Sequence, residues 1–233
     1  MYSDIPAFEA PSDRTSTVWR YMNVKKFRDL VTSRSLYMAR ADRFADQFEG
    51  LLSVPTRNQN SSVAEWIRDA RSQSYVSCWQ LNTHESAHMW EQYLRENQGV
   101  VVETEFQRLT ASFGPCKEAV FIGLIHYIDY DSAQIIGWDR TINIYQPIMH
   151  KRLEYQSDKE VRIVLNTMSN TALHAKANDK QGLSLPINID VLVKRVRLMP
   201  GASSELQREI HDLVSNAGLE CEVATSSLDR SPP

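Results

Sequence analysis

Between Val18 and Ala39 the hydrophobic pattern changes period twice, and this limits the fold more than any other feature of the chain. Val18-Trp19-Arg20-Tyr21-Met22 is short and rich in β-branched and aromatic residues, as a strand is. Asn23 can then cap a helix whose Val24, Phe27, Leu30 and Val31 share one face, and Ser35-Leu36-Tyr37-Met38-Ala39 reads as a second strand. A strand, helix, strand opening excludes an all-helical bundle.

Further along, the alternation is irregular. A helix is expected around residues 64–70 and a strand over 75–81. Asn82, with Glu85 three residues on, resembles a capping box opening a helix to about Asn97, with Gly99 as its stop. Residues 100–106 read as a strand, 120–130 as an extended segment broken at Gly123, and 131–150 as irregular. Val161, Ile163, Val164 and Leu165 suggest a buried strand, followed by a polar excursion and a strand near 191–199. Ser204 with Gln207 is placed to cap a helix carrying Leu206, Ile210, Leu213, Val214 and Ala217, ended by Gly218; residues 219–224 form a last strand. Strands outnumber helices without alternating regularly with them. The expected class is α+β: a compact single domain over 17–233, with mixed or antiparallel sheets and flanking helices, after a flexible arm at 1–16.

Composition narrows the classes of partner. A formal charge of -3 and a pI near 6.1 give no global attraction to nucleic acid or anionic membranes. No apolar run is long enough to span a bilayer, and the N-terminus lacks the basic and apolar regions of a signal peptide, so a cytoplasmic location is expected. Cys78, Cys116 and Cys221 are widely spaced and form no C-x-x-C pair; they read as buried thiols.

Three constellations carry chemistry. His84-Glu85-Ser86-Ala87-His88 matches H-E-x-x-H, which on a helix puts two imidazoles on one face as zinc requires; Glu103 or Glu105 is the available third ligand, and a zinc-dependent hydrolase is one alternative. Arg20, between Trp19 and Tyr21 in a strand, needs a carboxylate or phosphate partner if buried. Around it, residues 13–43 hold eight basic side chains against three acidic ones. Glu160 stands at the entrance of an apolar strand between Lys159 and Arg162. An arginine, exposed aromatic faces from among Tyr21, Tyr37, Trp79 and Trp90, and a carboxylate are the parts needed to hold a phosphate, stack a flat ring and stabilise positive charge at a sugar carbon. Asp42, Arg43, Asp46 and Glu49 read as a salt-bridged turn or a cleft mouth, and Lys151 and Arg152 as a charged loop or phosphate contacts.

W-R-Y-M at 19–22, S-L-Y-M-A-R-A-D-R-F-A-D-Q-F-E-G at 35–50, H-E-S-A-H-M-W-E-Q-Y at 84–93, H-K-R…D-K-E-V-R at 150–162 and the closing V-A-T-S-S-L resemble the bacterial domain-of-unknown-function family 2971. The chain is more distantly similar to ADP-ribosyltransferases, in which an Arg or His on the first strand, an aromatic or Ser/Thr on the second and a Glu opening a later strand surround NAD. That resemblance implies NAD as substrate. Arg20 would hold its phosphate or ribose, Tyr37 or Ser35 would face the nicotinamide, and Glu160 would orient the ribose hydroxyl and stabilise the oxocarbenium. It also implies an unidentified macromolecular acceptor and a place in bacterial defence or toxin systems. The chain departs from that pattern in lacking an S-T-S element and in having Asp158 where Glu or Gln is usual. A non-catalytic nucleotide-binding or regulatory protein on a related fold is the other alternative.

Overall fold

The computed structural model describes residues 2, 8–94, 98–135, 142–168, 170, 172–173, 175 and 181–230. The strands, in chain order, are β1 (Thr17–Asn23), β2 (Ser35–Arg40), β3 (Ser74–Leu81), β4 (Gly99–Glu105), β5 (Phe121–Leu124) and β6 (His126–Ile128). They continue as β7 (His150–Arg152), β8 (Glu160–Asn166), β9 (Gly182–Pro186), β10 (Arg195–Leu198) and β11 (Glu222–Ala224). The helices are α1 (Val24–Ser33), α2 (Val54–Gln59), α3 (Ser61–Ser72), α4 (Ala87–Leu94), α5 (Phe106–Ala111), α6 (Ile189–Leu192) and α7 (Ser204–Asn216). The fold is α+β, with mixed, largely antiparallel sheet and flanking helices. No described helix is long and apolar enough to cross a membrane.

The chain forms two compact units, each assembled from three segments. Unit 1 comprises Met1–Pro11, Tyr37–Cys78 and Glu118–Ser184; unit 2 comprises Ser12–Leu36, Trp79–Lys117 and Leu185–Pro233. In unit 1, β5 runs antiparallel to β8, with Gly123 opposite Arg162, and β8 also pairs with β3. β6 and β7 form a separate parallel pair. The core here gathers Phe8, Val76, Ile125, Ile148, Met149 and Val164. Phe8 comes from the segment expected as an arm: it is 2% exposed and stacks on Phe121. In unit 2, β4 lies antiparallel between β1 and β10, and β11 adds to β10 in parallel. Trp19, Tyr21, Met89, Trp90, Leu94 and Val101 form the core cluster there.

Local chemistry explains most boundaries. The Asn23 side chain accepts a hydrogen bond from the Lys26 N–H, and α1 buries Phe27, Leu30 and Val31, as the opening pattern requires. Four expectations need correction. α4 starts at Ala87 with no capping box, because the Glu85 carboxylate is turned elsewhere; residues 95–97, the expected end of this helix, lie outside the described residues. Gly99 opens β4 and is needed for close approach: a Cβ there would overlap the Met22 carbonyl oxygen and lie 2.7 Å from Leu94. Residues 189–192 are helical, since Asn188 caps that turn through the Val191 N–H before β10 begins. The cap of α7 is Ser203, one residue earlier than expected, while Gly218, at φ +67, ends the helix as foreseen.

Candidate functional site

Glu160 is the first residue of β8, entered through Lys159 in the left-handed region at φ 45. Its backbone N–H donates to the Tyr127 hydroxyl at 2.8 Å, and its carbonyl accepts from the Ile125 N–H at 3.0 Å. Residues 160 and 162 share one face of the strand by its two-residue period, so Arg162 Nε reaches Glu160 Oε1 at 2.7 Å. Lys151 Nζ lies 3.3 Å from Glu160 Oε2, and the Cys78 thiol also hydrogen-bonds this carboxylate.

The same cations serve further acids. Arg162 Nη2 meets Glu49 at 2.5 Å, Nη1 meets the Ile148 carbonyl at 2.6 Å, and the guanidinium sits over the Phe44 ring. Lys151 also pairs with Asp158 at 2.8 Å and lies over the Tyr155 ring. Arg162 is 0% exposed and Glu160 6%. Burial alone would raise the Glu160 carboxyl, but the Arg162 and Lys151 charges outweigh it and hold it below the usual carboxylate range. Both carboxylate oxygens are therefore engaged inside unit 1. The blocks 35–50 and 150–162, distant in sequence, meet here: Glu49 with Arg162, and Asp46 with Arg152 at 3.0 Å.

Beside this network, His150 opens β7 with Nδ1 donating to the Gln146 carbonyl at 2.5 Å. Burial lowers its pKa to about 4, with the neighbouring His126 adding to the shift. The unfolded chain takes up that proton near the ordinary imidazole value of about 6.5, so stability is present above this pH and falls toward pH 4. We expect a loss of roughly 3 kcal/mol at most over that window. Melting temperatures of wild type and His150→Gln measured from pH 7 to 4 should converge in acid; parallel curves would contradict it.

The other residues singled out in the sequence are distributed as follows. Arg20 belongs to unit 2, where its guanidinium lies 5.7 Å from the Trp79 ring centroid. The Tyr21 hydroxyl accepts from the Ser86 N–H, and its ring meets Trp90 edge-on at 4.9 Å. Burial raises the Tyr21 phenol to about 12. Tyr21, Trp79 and Trp90 are all buried, so their faces are covered by protein. The Ser35 hydroxyl donates to the Ser33 carbonyl. Tyr37 lies in unit 1, exposed, with its ring where a Cβ on Gly182 would be. The structure thus brings Arg20 to Trp79 and Tyr21 to Trp90, whereas Glu160 finds its cations in Arg162 and Lys151.

The H-E-x-x-H stretch is divided by the fold. His84 and His88 are exposed, and His84 Nδ1 contacts the Thr83 hydroxyl. Glu85 is buried and accepts four hydrogen bonds: from Trp90 Nε1, the Ser226 hydroxyl, and the Ser227 N–H and hydroxyl. Glu103 and Glu105 are paired with Arg195 and Lys194. Among the described residues no three His, Cys, Asp or Glu side chains are grouped to hold a metal ion.

The Glu85 clamp fixes the segment after β11, and that segment walls a pocket of about 360 Å³ in unit 2. Arg195 and Arg197, two residues apart on β10, both reach this space, as do Glu222, Thr225, Ser226, Ser227, Asp229 and Arg230. Glu103 stands opposite Arg195 across the β10–β4 register and accepts from Arg195 Nη1 at 3.0 Å and Arg197 Nε at 2.9 Å. The buried carboxylate thus orients two guanidiniums and leaves Arg197 Nη1 and Nη2 without an acceptor among the described residues. The sequence carried this signal in the R-x-R spacing at 195–197. A strand period projects both arginines from one face.

Comparison with known proteins adds no assignment. The chain matches no protein-family model and no characterised protein.

Proposed function

We propose that the chain binds a small phosphate-bearing ligand of the nucleotide class in the pocket beside β10. The observation that carries this reading is the pair of Nη groups on Arg197, which has its Nε held by buried Glu103 and its Nη groups facing no acceptor among the described residues. Planar guanidiniums fixed in this way are suited to bidentate recognition of phosphate. Arg230 and the Thr225 hydroxyl line the same space, while the charge of Arg195 is met by Glu103 and Glu222. A volume of about 360 Å³ lies within the range of ligand sites, about 300–1,000 Å³. The resemblance to NAD-using transferases makes NAD or another nucleotide the class to try first. The binding reading is preferred to group transfer because a carboxylate that orients a ribose hydroxyl must be reachable by the substrate, and Glu160 is 6% exposed and held by Arg162 and Lys151.

Titration calorimetry with ADP and NAD tests this. Saturable binding is expected, weakened about tenfold or more in Arg197→Ala, measured below the melting temperature of that variant, which falls because buried Glu103 keeps Arg195 but loses Arg197. Absence of binding by the wild-type chain, or an unaffected Arg197→Ala variant, would sink the reading. Chromatography of the same NAD samples should show no free nicotinamide; release that stops in a folded Glu160→Gln variant would favour the transferase.

A further inference from the structure

The two carboxylates bonded to Arg195 differ in kind. Glu103 is 7% exposed and bridges Arg195 and Arg197, so it cannot leave without stranding a buried charge. Glu222, beside Arg195 in the β10–β11 register, has a side chain 59% exposed and accepts from Arg195 Nε at 2.6 Å. An exposed ion pair of this kind contributes little to stability, and its glutamate can turn into water. It occupies the Nε edge of Arg195, one of the two edges from which a guanidinium can grip an oxyanion with paired donors.

We propose that Glu222 is an internal competitor for the second phosphate of a diphosphate ligand. One phosphate rests on the Nη edge of Arg197, which has no acceptor among the described residues; the second displaces Glu222 and takes the Nε edge of Arg195. Both arginines project from the same face of β10, and both stay anchored through Glu103 during the exchange. The pocket therefore distinguishes a diphosphate from a single phosphate by requiring two anionic groups, the second of which must be strong enough to replace a carboxylate. Asp229, also on the pocket wall, accepts from the Gly201 N–H at 2.9 Å and is bonded to neither arginine. It carries the same charge without competing, which makes it the control.

This inference rests on the pocket's phosphate-binding role, and the test keeps the two apart. Calorimetry at fixed ionic strength would compare inorganic pyrophosphate and inorganic phosphate on wild type, Glu222→Gln and Asp229→Asn, with melting curves to confirm folding. Glu222→Gln should tighten pyrophosphate about fivefold or more while changing phosphate less than about twofold. Asp229→Asn, which removes the same charge without freeing an arginine donor, should tighten both anions by less than Glu222→Gln tightens pyrophosphate. Equal gains for both anions, or equal gains from both variants, would reduce the effect to general charge and overturn the proposal, as would an unchanged pyrophosphate affinity in Glu222→Gln. If ADP binds wild type and is weakened by Arg197→Ala while Glu222→Gln has no effect, only the competitor role falls. If neither ADP nor pyrophosphate binds any variant, the phosphate-binding role falls with it.

Discussion

Arg162→Ala is expected to lower the unfolding free energy by about 3–5 kcal/mol, a large part of the roughly 5–15 kcal/mol that holds a typical domain together. Arg162 has no exposed surface and serves Glu160, Glu49 and the Ile148 carbonyl at once. Without it, Glu49, Asp158 and Glu160 would face Lys151 alone in a region with little water. The penalty comes from buried charge left uncompensated, which exceeds the net worth of any single pair. Glu160→Gln should do less damage, since the amide keeps an acceptor for Arg162 and leaves Glu49 in place. Urea unfolding followed by circular dichroism compares the two, and an Arg162→Ala midpoint equal to that of wild type would show that the network does not support unit 1.

Glu85→Ala should remove about 3 kcal/mol from unit 2 and free the segment that walls the pocket. Four donors converge on this carboxylate, two of them at 2.5 Å from Ser227, and truncation would leave the Trp90 indole N–H buried without its acceptor. The expected signature is local as well as global. Hydrogen exchange at the Ser227 and Leu228 amides should speed up more than exchange in α7, and ADP affinity should fall because Ser226 and Ser227 lose their anchor. Unchanged exchange at those two amides would contradict the clamp.

The fold was legible where local and tertiary preferences agree. β1, α1 and β2 follow directly from the change of hydrophobic period, the Asn23 cap and the apolar stripe of Phe27, Leu30 and Val31. Asn82 and Glu85 have the spacing of a capping box, whereas three of the four donors to Glu85 come from Ser226 and Ser227, 141 and 142 residues away. No local rule can anticipate them. At residues 189–192 the β-rich composition lost to the Asn188 cap, a single side-chain bond that outweighs a weak propensity.

The site was legible in fragments. Glu160 drew notice as an acid at the mouth of an apolar strand, and it is indeed buried; its partners, however, are Arg162 two residues on and Lys151 nine residues back. These cations are near in sequence, whereas Arg20 belongs to unit 2. The pocket needed two facts that no spacing reveals: that Glu103 lies opposite Arg195, and that Glu85 draws the closing serines toward it.

Each unit takes its segments alternately with the other along the chain. No single cleavage point can therefore yield either unit whole, and a nascent chain cannot finish unit 2 until Ser226 and Ser227 have emerged to meet Glu85. Such delayed closure favours slow folding, because contacts separated by long loops form late. Cutting the chain anywhere between Glu85 and Ser226 would separate one half of this hydrogen-bonded partnership from the other, so dissection of this protein calls for point substitutions rather than truncation there.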